Sequence, residues 1–182
     1  ESGGDFTTLF AALNSITDAA EKNEYLVKIA PGEYTETANV AMKNYVDVEG
    51  SGQDITTITC SCSSNGPDAS GAVISAGAIT AEIRHLTINN TGGSNASSFG
   101  VVTNSVADGS FSMLHVTATA TGGTTFNLGV YNETSSSPTM NNVTATATAT
   151  AIEGTTVNFG VYNNGSSPTM NDVTATATGT GT

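Results

Sequence analysis

Apolar and polar residues alternate with a period of two along most of the chain after Glu24, which predicts short β-strands. The clearest case is the tract from Thr144 to Thr150, in which every second residue is Ala. Successive side chains of a strand point to opposite faces, so we expect the Ala side chains to face a core and the Thr side chains to face outward. Before this region, apolar residues at helical spacing predict one helix that opens at Asp5–Thr8 and runs to about Ala20.

The strands recur in a repeated unit. GVYNETSSSPTMNNV, from Gly129 to Val143, returns as GVYNNGSSPTMNDV, from Gly160 to Val173. The two copies are offset by about 30 residues, a repeat length that is typical of solenoids, in which one unit stacks on the next. Each unit holds three short strands, so we predict an all-β, right-handed parallel β-helix with three strands per coil and one short N-terminal capping α-helix.

A single solenoid can account for all 182 residues. We expect one β-helix domain over 1–182. Its parts are an N-terminal arm and capping helix at 1–24, the first coils at 25–71, and the repeated coils at 72–182. Each repeated coil takes up about 30 residues, as solenoid units commonly do.

Three equivalent strands carry Phe99-Gly-Val, Leu128-Gly-Val and Phe159-Gly-Val. Strict alternation places the first and third residues of each triplet on one face and points Tyr131 and Tyr162 the other way. The two tyrosines are then an exposed aromatic ladder. Such a ladder either contacts sugar rings or shields the sheet or a neighbouring molecule.

Charge narrows the range of partners. The chain has 4 Lys and Arg against 16 Asp and Glu, which gives a formal net charge of −12. This charge disfavours nucleic acid and anionic membranes, and it leaves cations and neutral, hydroxyl-rich molecules as partners. No apolar run approaches the roughly 18 residues that span a membrane, and no hydrophobic leader precedes Glu1. We therefore expect a secreted protein, extracellular or at the cell surface, that neither inserts into membranes nor needs a cofactor.

Cys60 and Cys62 are the only cysteines. On an extended strand their side chains would share a face roughly 6 to 7 Å apart, too far for an unstrained disulfide. Cys-Ser-Cys must therefore bend to close a disulfide. Two partly buried thiols, a tight local disulfide and an intermolecular disulfide all remain open.

The N-terminal third of the chain resembles the opening of the pectin-lyase-like β-helix superfamily, particularly its pectinesterase-type members. The resemblance is carried by Gly4–Thr8, Ala11–Leu13, Val27–Glu36 and Val48–Gly52. It implies a capping helix followed by the first coils of a parallel β-helix.

The resemblance does not extend to the catalytic motifs. It implies a pair of Asp residues, Gln residues and an Arg on the middle coils for methyl-ester hydrolysis, or clustered acidic calcium ligands with Arg or Lys as base for a lyase. The sequence has no Gln-Asp-Thr-Leu, Asp-Phe-Ile-Phe-Gly or Gly-Arg-Pro-Trp motif. Gln53-Asp54 is the only Gln-Asp pair, and Arg84 is the last Lys or Arg. We therefore expect no catalytic residues and no enzyme activity.

Alignment of the repeats places His85, His115, Asn142 and Asp172 in one column. Adjacent coils would bring the two imidazoles within about 5 Å of each other. A shared metal ion lacks an assured third ligand, so we favour a solvated polar ladder at a bend and assign no metal ligand.

The Thr side chains of the repeated tracts are expected to form a grid on one outer face, spaced about 4.8 Å between coils and about 6.7 Å along each strand. This surface resembles the Thr-x-Thr faces of insect ice-binding solenoids. Thr is also simply a good small β-former for an exposed wall, and O-linked sugars are a further alternative. The candidate surface-binding residues are Thr117, Thr119, Thr144, Thr146, Thr148, Thr174, Thr176 and Thr178.

Five Asn-X-Ser/Thr sequons are candidate N-glycosylation sites if the source has the machinery. They begin at Asn89, Asn95, Asn132, Asn142 and Asn164.

The chain stops at Thr182 in the middle of a repeat, with no terminal helix, charged strand or proline to protect the last coil. Either the chain is a fragment of a longer solenoid or the exposed edge meets another subunit. The first hypothesis is a non-enzymatic, extracellular structural protein that self-assembles through coil edges or terminal strands, into a homo-oligomer or a fibre. The alternatives are a carbohydrate-binding or pectin-active β-helix module and an ice-binding solenoid.

Overall fold

The computed structural model describes residues 5–93, 96–149 and 156–179. Within these ranges the chain has one short α-helix, α1 (Leu9–Ser15), one turn of 3-10 helix (Ala69–Gly71) and a series of strands. The strands are β1 (Tyr25–Lys28), β2 (Gly32–Glu36), β3 (Val40–Ala41), β4 (Val46–Glu49), β5 (Thr56–Cys60), β6 (Ala72–Ala76), β7 (Ala81–Asn90), β8 (Ser97–Asn104), β9 (Phe111–Thr121), β10 (Phe126–Glu133), β11 (Thr139–Thr148), β12 (Val157–Asn164) and β13 (Thr169–Thr178).

The strands stack into two sheets, in which every described pair is parallel. The five-stranded sheet has the order β12-β10-β8-β6-β3. The eight-stranded sheet has the path β1-β4-β7-β9-β11-β13, with β2 and β5 beside it. Strands of one sheet come from successive coils, so the predicted all-β parallel solenoid with one short helix is confirmed.

A sharp bend divides the eight-stranded sheet into two walls. In β7, β9, β11 and β13 it falls at His85, His115, Asn142 and Asp172, whose φ angles are 56°, 51°, 51° and 52°. Non-glycine residues rarely adopt this left-handed conformation, and His, Asn and Asp are enriched among those that do. The column that the sequence indicated is therefore the bend of each coil.

Three walls follow from this division. Wall 1 is the five-stranded sheet. Wall 2 contains β1, β4 and the segments before the bend, and wall 3 contains β2, β5 and the segments after it.

Apolar side chains of the three walls fill the interior in ladders. Ile83, Met113 and Met140 lie in register on wall 2 and are fully buried. On wall 3, Ala118 and Ala145 are in register and fully buried. These small side chains leave little space between wall 3 and the wall opposite, as the sequence pattern indicated.

Wall 1 approaches wall 3 at a column of glycines. A Cβ atom added to Gly129 would lie 2.7 Å from the backbone nitrogen of Thr146 and 2.9 Å from the carbonyl carbon of Ala145. A Cβ atom on Gly160 would lie 2.5 Å from the backbone nitrogen of Thr176, and one on Gly100 would lie 3.2 Å from the carbonyl oxygen of Thr119. Only glycine fits where the two backbones lie this close together.

The glycine column breaks the predicted alternation of wall 1. Val101 and Val130 belong to the main core, but Phe99 and Leu128 pack outside it in a second cluster with Tyr131. The prediction that Phe99 and Val101 share a face is therefore wrong. The glycine and the following valine both face inward, so the residue before the glycine lies on the outer side.

The N-terminal helix is shorter than the sequence predicted. Thr8 caps α1, since its Oγ1 accepts a hydrogen bond from the backbone nitrogen of Ala11. Buried Glu36 caps it as well, with Oε1 2.6 Å from the backbone nitrogen of Leu9. The helix ends at Ser15 and Ile16 is extended, although the following segment contains the good helix formers Ala19 and Ala20.

Cys60 and Cys62 form a disulfide, with their Cα atoms 5.2 Å apart. Strand β5 ends at Cys60, so Cys60–Cys62 is not an extended strand and the geometric difficulty does not arise. Ser64 then pairs with Ser97 through two backbone hydrogen bonds of 3.0 and 2.9 Å. The turn after the disulfide is thereby fixed against the start of β8.

We expect Gly129→Ala to lower the free energy of unfolding by at least about 2 kcal/mol, because its methyl group overlaps backbone atoms of wall 3 that cannot move independently. Urea denaturation followed by circular dichroism measures this change. Gly66→Ala is the matched control, since a Cβ atom there meets nothing within 4 Å. Equal stability of the two variants would contradict the close approach of walls 1 and 3.

Candidate functional site

The charged side chains of the middle coils meet on the outer face of wall 2. Asp47 and Glu49 alternate with buried valines on β4, and Glu82 and Arg84 alternate with buried Ala81 and Ile83 on β7. The register pairs Glu49 with Arg84. We call Asp47, Glu49, Glu82 and Arg84 the wall 2 cluster.

Arg84 lies at the centre of the wall 2 cluster. Its Nη2 and Nε donate to Glu49 Oε2 at 2.8 and 3.1 Å, and its Nη1 donates to Glu82 Oε1 at 2.6 Å. The same Nη1 lies 3.7 Å from Asp47 Oδ2. Three of the five N–H donors of the guanidinium are thereby engaged, which leaves two for another group.

These contacts favour the charged forms of Glu49 and Arg84. The hydrogen bond from Arg84 lowers the pKa of Glu49. Hydrogen bonds to Glu82 and Glu49 raise the pKa of Arg84. Glu49 is therefore a carboxylate at neutral pH and is suited to accept hydrogen bonds, not to act as a general acid.

Asp47 is the most exposed carboxylate of the wall 2 cluster, with 41% of its side chain exposed. Its Oδ1 accepts a hydrogen bond of 2.8 Å from the backbone nitrogen of Glu82. Glu82 is held in turn by Ser112 Oγ, which donates to its Oε2 at 2.8 Å. Three successive coils thus fix the orientation of Asp47 while its Oδ2 faces the solvent side of Arg84.

An open cleft of about 230 Å³ lies beside the wall 2 cluster. Its lining residues are Glu24, Tyr45, Asp47, Thr80, Ala81, Glu82, Gly109, Ser110 and Ser112. The lining contains three carboxylates and several hydroxyl groups but no Lys or Arg. Such a cleft accepts hydrogen bonds from hydroxyl-rich molecules and repels anions.

The sequence pattern did not indicate the wall 2 cluster. The visible repeat has the length of about 30 residues that is common in solenoids, whereas Arg84 lies farther than one such repeat from Glu49. The extra residues lie between β4 and β5, because Thr57 pairs with Thr87 at the regular offset while Glu49 and Arg84 are farther apart in the chain. An alignment of turns that allowed an insertion at Gly50–Ile55 would have brought Arg84 to Glu49.

The two histidines of the bend column stack on each other. The ring centroids of His85 and His115 are 5.1 Å apart, and the planes differ by 15°. Asn142 Nδ2 lies 2.9 Å from His115 Nδ1, so an amide occupies one ring nitrogen. Across the part of the chain that the structure describes, no group of three or more His, Cys, Asp or Glu residues could hold a metal ion.

The candidate Thr face lies on wall 3. Thr117, Thr144 and Thr174 are in register, as are Thr119, Thr146 and Thr176. Thr148 and Thr178 continue the grid. The structure therefore brings the predicted Thr residues together in columns, on a different wall from the cleft.

The candidate glycosylation sites differ in their surroundings. Asn132 is fully buried and bonded to Thr103 and Asn163, so no enzyme reaches it in the folded chain. Asn142 and Asn164 are exposed, and Asn89 is half-buried. Asn95 lies outside the described residues. Glycosylation of the accessible sites stays a prediction.

The expected aromatic ladder exists, but it is largely covered. Tyr131 is 2% exposed and lies between Phe99 and Tyr162, with centroid distances of 5.7 and 5.5 Å. Tyr162 is 38% exposed. The expectation of an exposed Tyr131 is wrong, because the rings stack along the coil axis and cover one another.

No protein-family model and no curated protein matches the chain. Among solved structures, the chain is similar to a pectin methylesterase from carrot, with a TM-score of 0.58 and 16% identity over 81% of this chain and 50% of that one. It is similar to a pectin methylesterase from Yersinia enterocolitica, with a TM-score of 0.56 and 16% identity over 81% and 57%. A pectin methylesterase in complex with a hexasaccharide gives a TM-score of 0.59 and 15% identity over 100% and 64%.

These likenesses define the fold: the chain is a pectin-lyase-like parallel β-helix. It spans 50%, 57% and 64% of the three pectin methylesterases. The resemblance read from the N-terminal third of the sequence is thereby confirmed for architecture.

The expectation that the chain is not an enzyme is contradicted, because its structural neighbours are pectin methylesterases, which are enzymes. The missing motifs led to that expectation. At 15–16% identity, however, short motifs diverge while the fold persists. Self-assembly stays a prediction.

Replacement of Arg84 by Met should lower the Tm at pH 7, because it leaves three neighbouring carboxylates without their cation. The pKa of Glu49 is lowered from its ordinary value of 4.5, so the stabilisation is complete above pH 4.5 and is lost as the pH falls through the lowered pKa. The Tm difference between wild type and variant should therefore shrink on acidification. Differential scanning calorimetry across this range measures it.

Lys22→Met is the matched control, since it removes one exposed positive charge outside the wall 2 cluster. The Lys22 variant should have nearly the wild-type Tm at pH 7 and throughout the acidification. A pH-independent loss of stability in the Arg84 variant would show that packing of its alkyl chain, and not its charge, stabilises this face.

Proposed function

We propose that the chain is a pectin-related, carbohydrate-active β-helix module that binds a neutral, hydroxyl-rich polysaccharide in the cleft beside the wall 2 cluster. The observation that carries the proposal is the open cleft lined by Asp47 and Glu82, two carboxylates that Arg84 contacts from beside it, on the outer wall of a pectin-lyase-like β-helix. The carboxylates and hydroxyl groups of this lining offer both hydrogen-bond acceptors and donors to a sugar.

Electrostatics favours an esterified or neutral polymer. The cleft presents Glu24, Asp47 and Glu82, and the whole chain carries a formal charge of −12. A demethylated polyuronate would bring further negative charge to this surface and be repelled. A methyl-esterified or neutral chain brings hydroxyl groups whose hydrogen bonds the carboxylates can accept without that cost.

Asp47 is the residue best placed for ester chemistry. Its exposed carboxylate can take a proton from a water molecule that attacks the ester carbonyl, and it can return that proton to the departing methoxide, so that a free carboxyl group and methanol form. Arg84 Nη1 lies 3.7 Å from Asp47 Oδ2. A spare N–H of Arg84 is then available to the negative charge that develops on the carbonyl oxygen. Glu82 and Ser112 act as positioning residues, since they hold Asp47 and each other.

The predicted extracellular location belongs to this proposal, because polysaccharides of this kind lie outside cells. In the described residues, no helix is long and apolar enough to cross a membrane.

Wild-type protein should bind highly methyl-esterified pectin more tightly than polygalacturonate, and it should release methanol from the esterified polymer. Asp47→Asn should lower methanol release by about 10²-fold or more, because the amide is neither a nucleophile nor a base. Affinity electrophoresis in gels with each polysaccharide measures binding, and a coupled methanol assay measures turnover.

Asp54→Asn is the matched control, because Asp54 is exposed on the turn before β5 and does not line the cleft. The Asp54 variant should retain both the binding of methyl-esterified pectin and the release of methanol. Binding without methanol release would restrict the proposal to a carbohydrate-binding module. Absence of binding to either polysaccharide, or equal turnover by the Asp47 and Asp54 variants, would refute it.

A further inference from the structure

Wall 3 carries threonine at every outward position of its last three coils. The outward residues of β9, β11 and β13 after the bend alternate with valine and alanine, which are buried on β9 and β11. They are Thr117, Thr119, Thr121, Thr144, Thr146, Thr148, Thr174, Thr176 and Thr178. We call this surface the threonine array.

Register gives the threonine array two regular spacings. Thr121, Thr148 and Thr178 form one column, parallel to the columns through Thr146 and Thr144. Neighbouring coils of a parallel sheet lie about 4.8 Å apart, and alternate residues along a strand lie about 6.7 Å apart. The hydroxyl groups therefore repeat in two dimensions.

Protein groups engage the array only at its upstream edge. Gln53 Nε2 donates to Thr117 Oγ1 at 3.3 Å, and Thr119 Oγ1 donates to Asn89 Oδ1 at 2.7 Å. Thr144, Thr146, Thr148, Thr174, Thr176 and Thr178 have no hydrogen bond from their hydroxyls to any described residue. Within the described part of the chain these hydroxyls are open to hydrogen bonds with water.

The array holds its hydroxyls in place before any ligand arrives. Threonine is branched at Cβ, which restricts its χ1 angle, and cross-strand neighbours restrict it further. Ala145 and Ala147 are fully buried directly beneath, so the backbone of β11 is anchored to the core. Little conformational entropy is lost when an ordered layer of water forms on such a surface.

Charge is absent from the array although the chain has a formal net charge of −12. An exposed wall that served solubility alone would carry Lys or Glu among its outward residues. A charged side chain would disrupt an ordered water layer, whereas a lattice of identical hydroxyls extends it.

We propose that the threonine array is an ice-binding surface, whose ligand is the ordered water lattice of an ice crystal. Water molecules held by the hydroxyl columns join that lattice, and the threonine methyl groups lie against it. The array lies on wall 3 and the cleft on wall 2, so this activity is independent of polysaccharide binding.

Purified full-length chain should shape ice crystals and produce thermal hysteresis, as measured in a nanolitre osmometer. The double variant Thr146→Tyr/Thr176→Tyr should abolish both effects, because two large rings stand in the central column of the array. The matched control is Thr139→Tyr/Thr169→Tyr. It changes the same residue types on the same two strands, also in register, but on wall 2.

The control pair should retain crystal shaping, and circular dichroism should show the same melting temperature for both double variants. Wild-type protein that leaves ice crystals unshaped would overturn the proposal, as would equal loss in the two variants. Pectin binding measured on the wall 3 variant separates the two proposals. Pectin binding by the Thr146→Tyr/Thr176→Tyr variant should equal that of the wild type, whatever the result of the ice assay.

Discussion

The close approach of walls 1 and 3 at the glycine column sets the cross-section of this β-helix. Gly129 and Gly160 bring the backbone of wall 1 against the backbone of wall 3, where a Cβ atom would overlap it, and Gly100 continues their column. The alanines of wall 3 are the other half of this contact, since larger inward side chains could not fit there. The contact limits the inward positions of these strands to small residues. It places no such limit on their outward positions, which are threonine in the last three coils.

The same contact explains where the sequence pattern predicted the fold correctly and where it did not. Period-two alternation and the regular repeat depend on local geometry and stacking, and both held for Ala118, Ala145 and Met140. The outward orientation of Phe99 and Leu128, opposite to the predicted one, depends on the distance between two walls that are far apart in sequence. No local pattern carries that distance. A glycine that recurs once per coil at a fixed strand position was the available signal.

The wall 2 cluster escaped prediction for a related reason. Arg84 meets Glu49 only because the coil between them is longer than the visible repeat, so the pairing is set by an insertion. Exposed acidic residues in a sequence give no indication of which cation joins them. The inserted residues lie between β4 and β5, where the backbone nitrogens of Gly50 and Gly52 donate to the carbonyl oxygens of Arg84 and His85 at 3.0 and 2.8 Å. The contacts that hold this turn against β7 therefore also keep Arg84 beside its carboxylates.

The bend in the left-handed conformation is what allows one strand to carry two unlike surfaces. On β7 and β9, residues before His85 and His115 contribute charge and hydroxyls to the cleft, and on β9 the residues after the bend contribute to the threonine array. His, Asn and Asp tolerate this conformation at modest cost, so the column varies in chemistry while its geometry stays constant. An exchange among His, Asn and Asp within the column therefore keeps both surfaces in place, whereas a β-branched residue disfavours the left-handed conformation and would rotate one wall against the other.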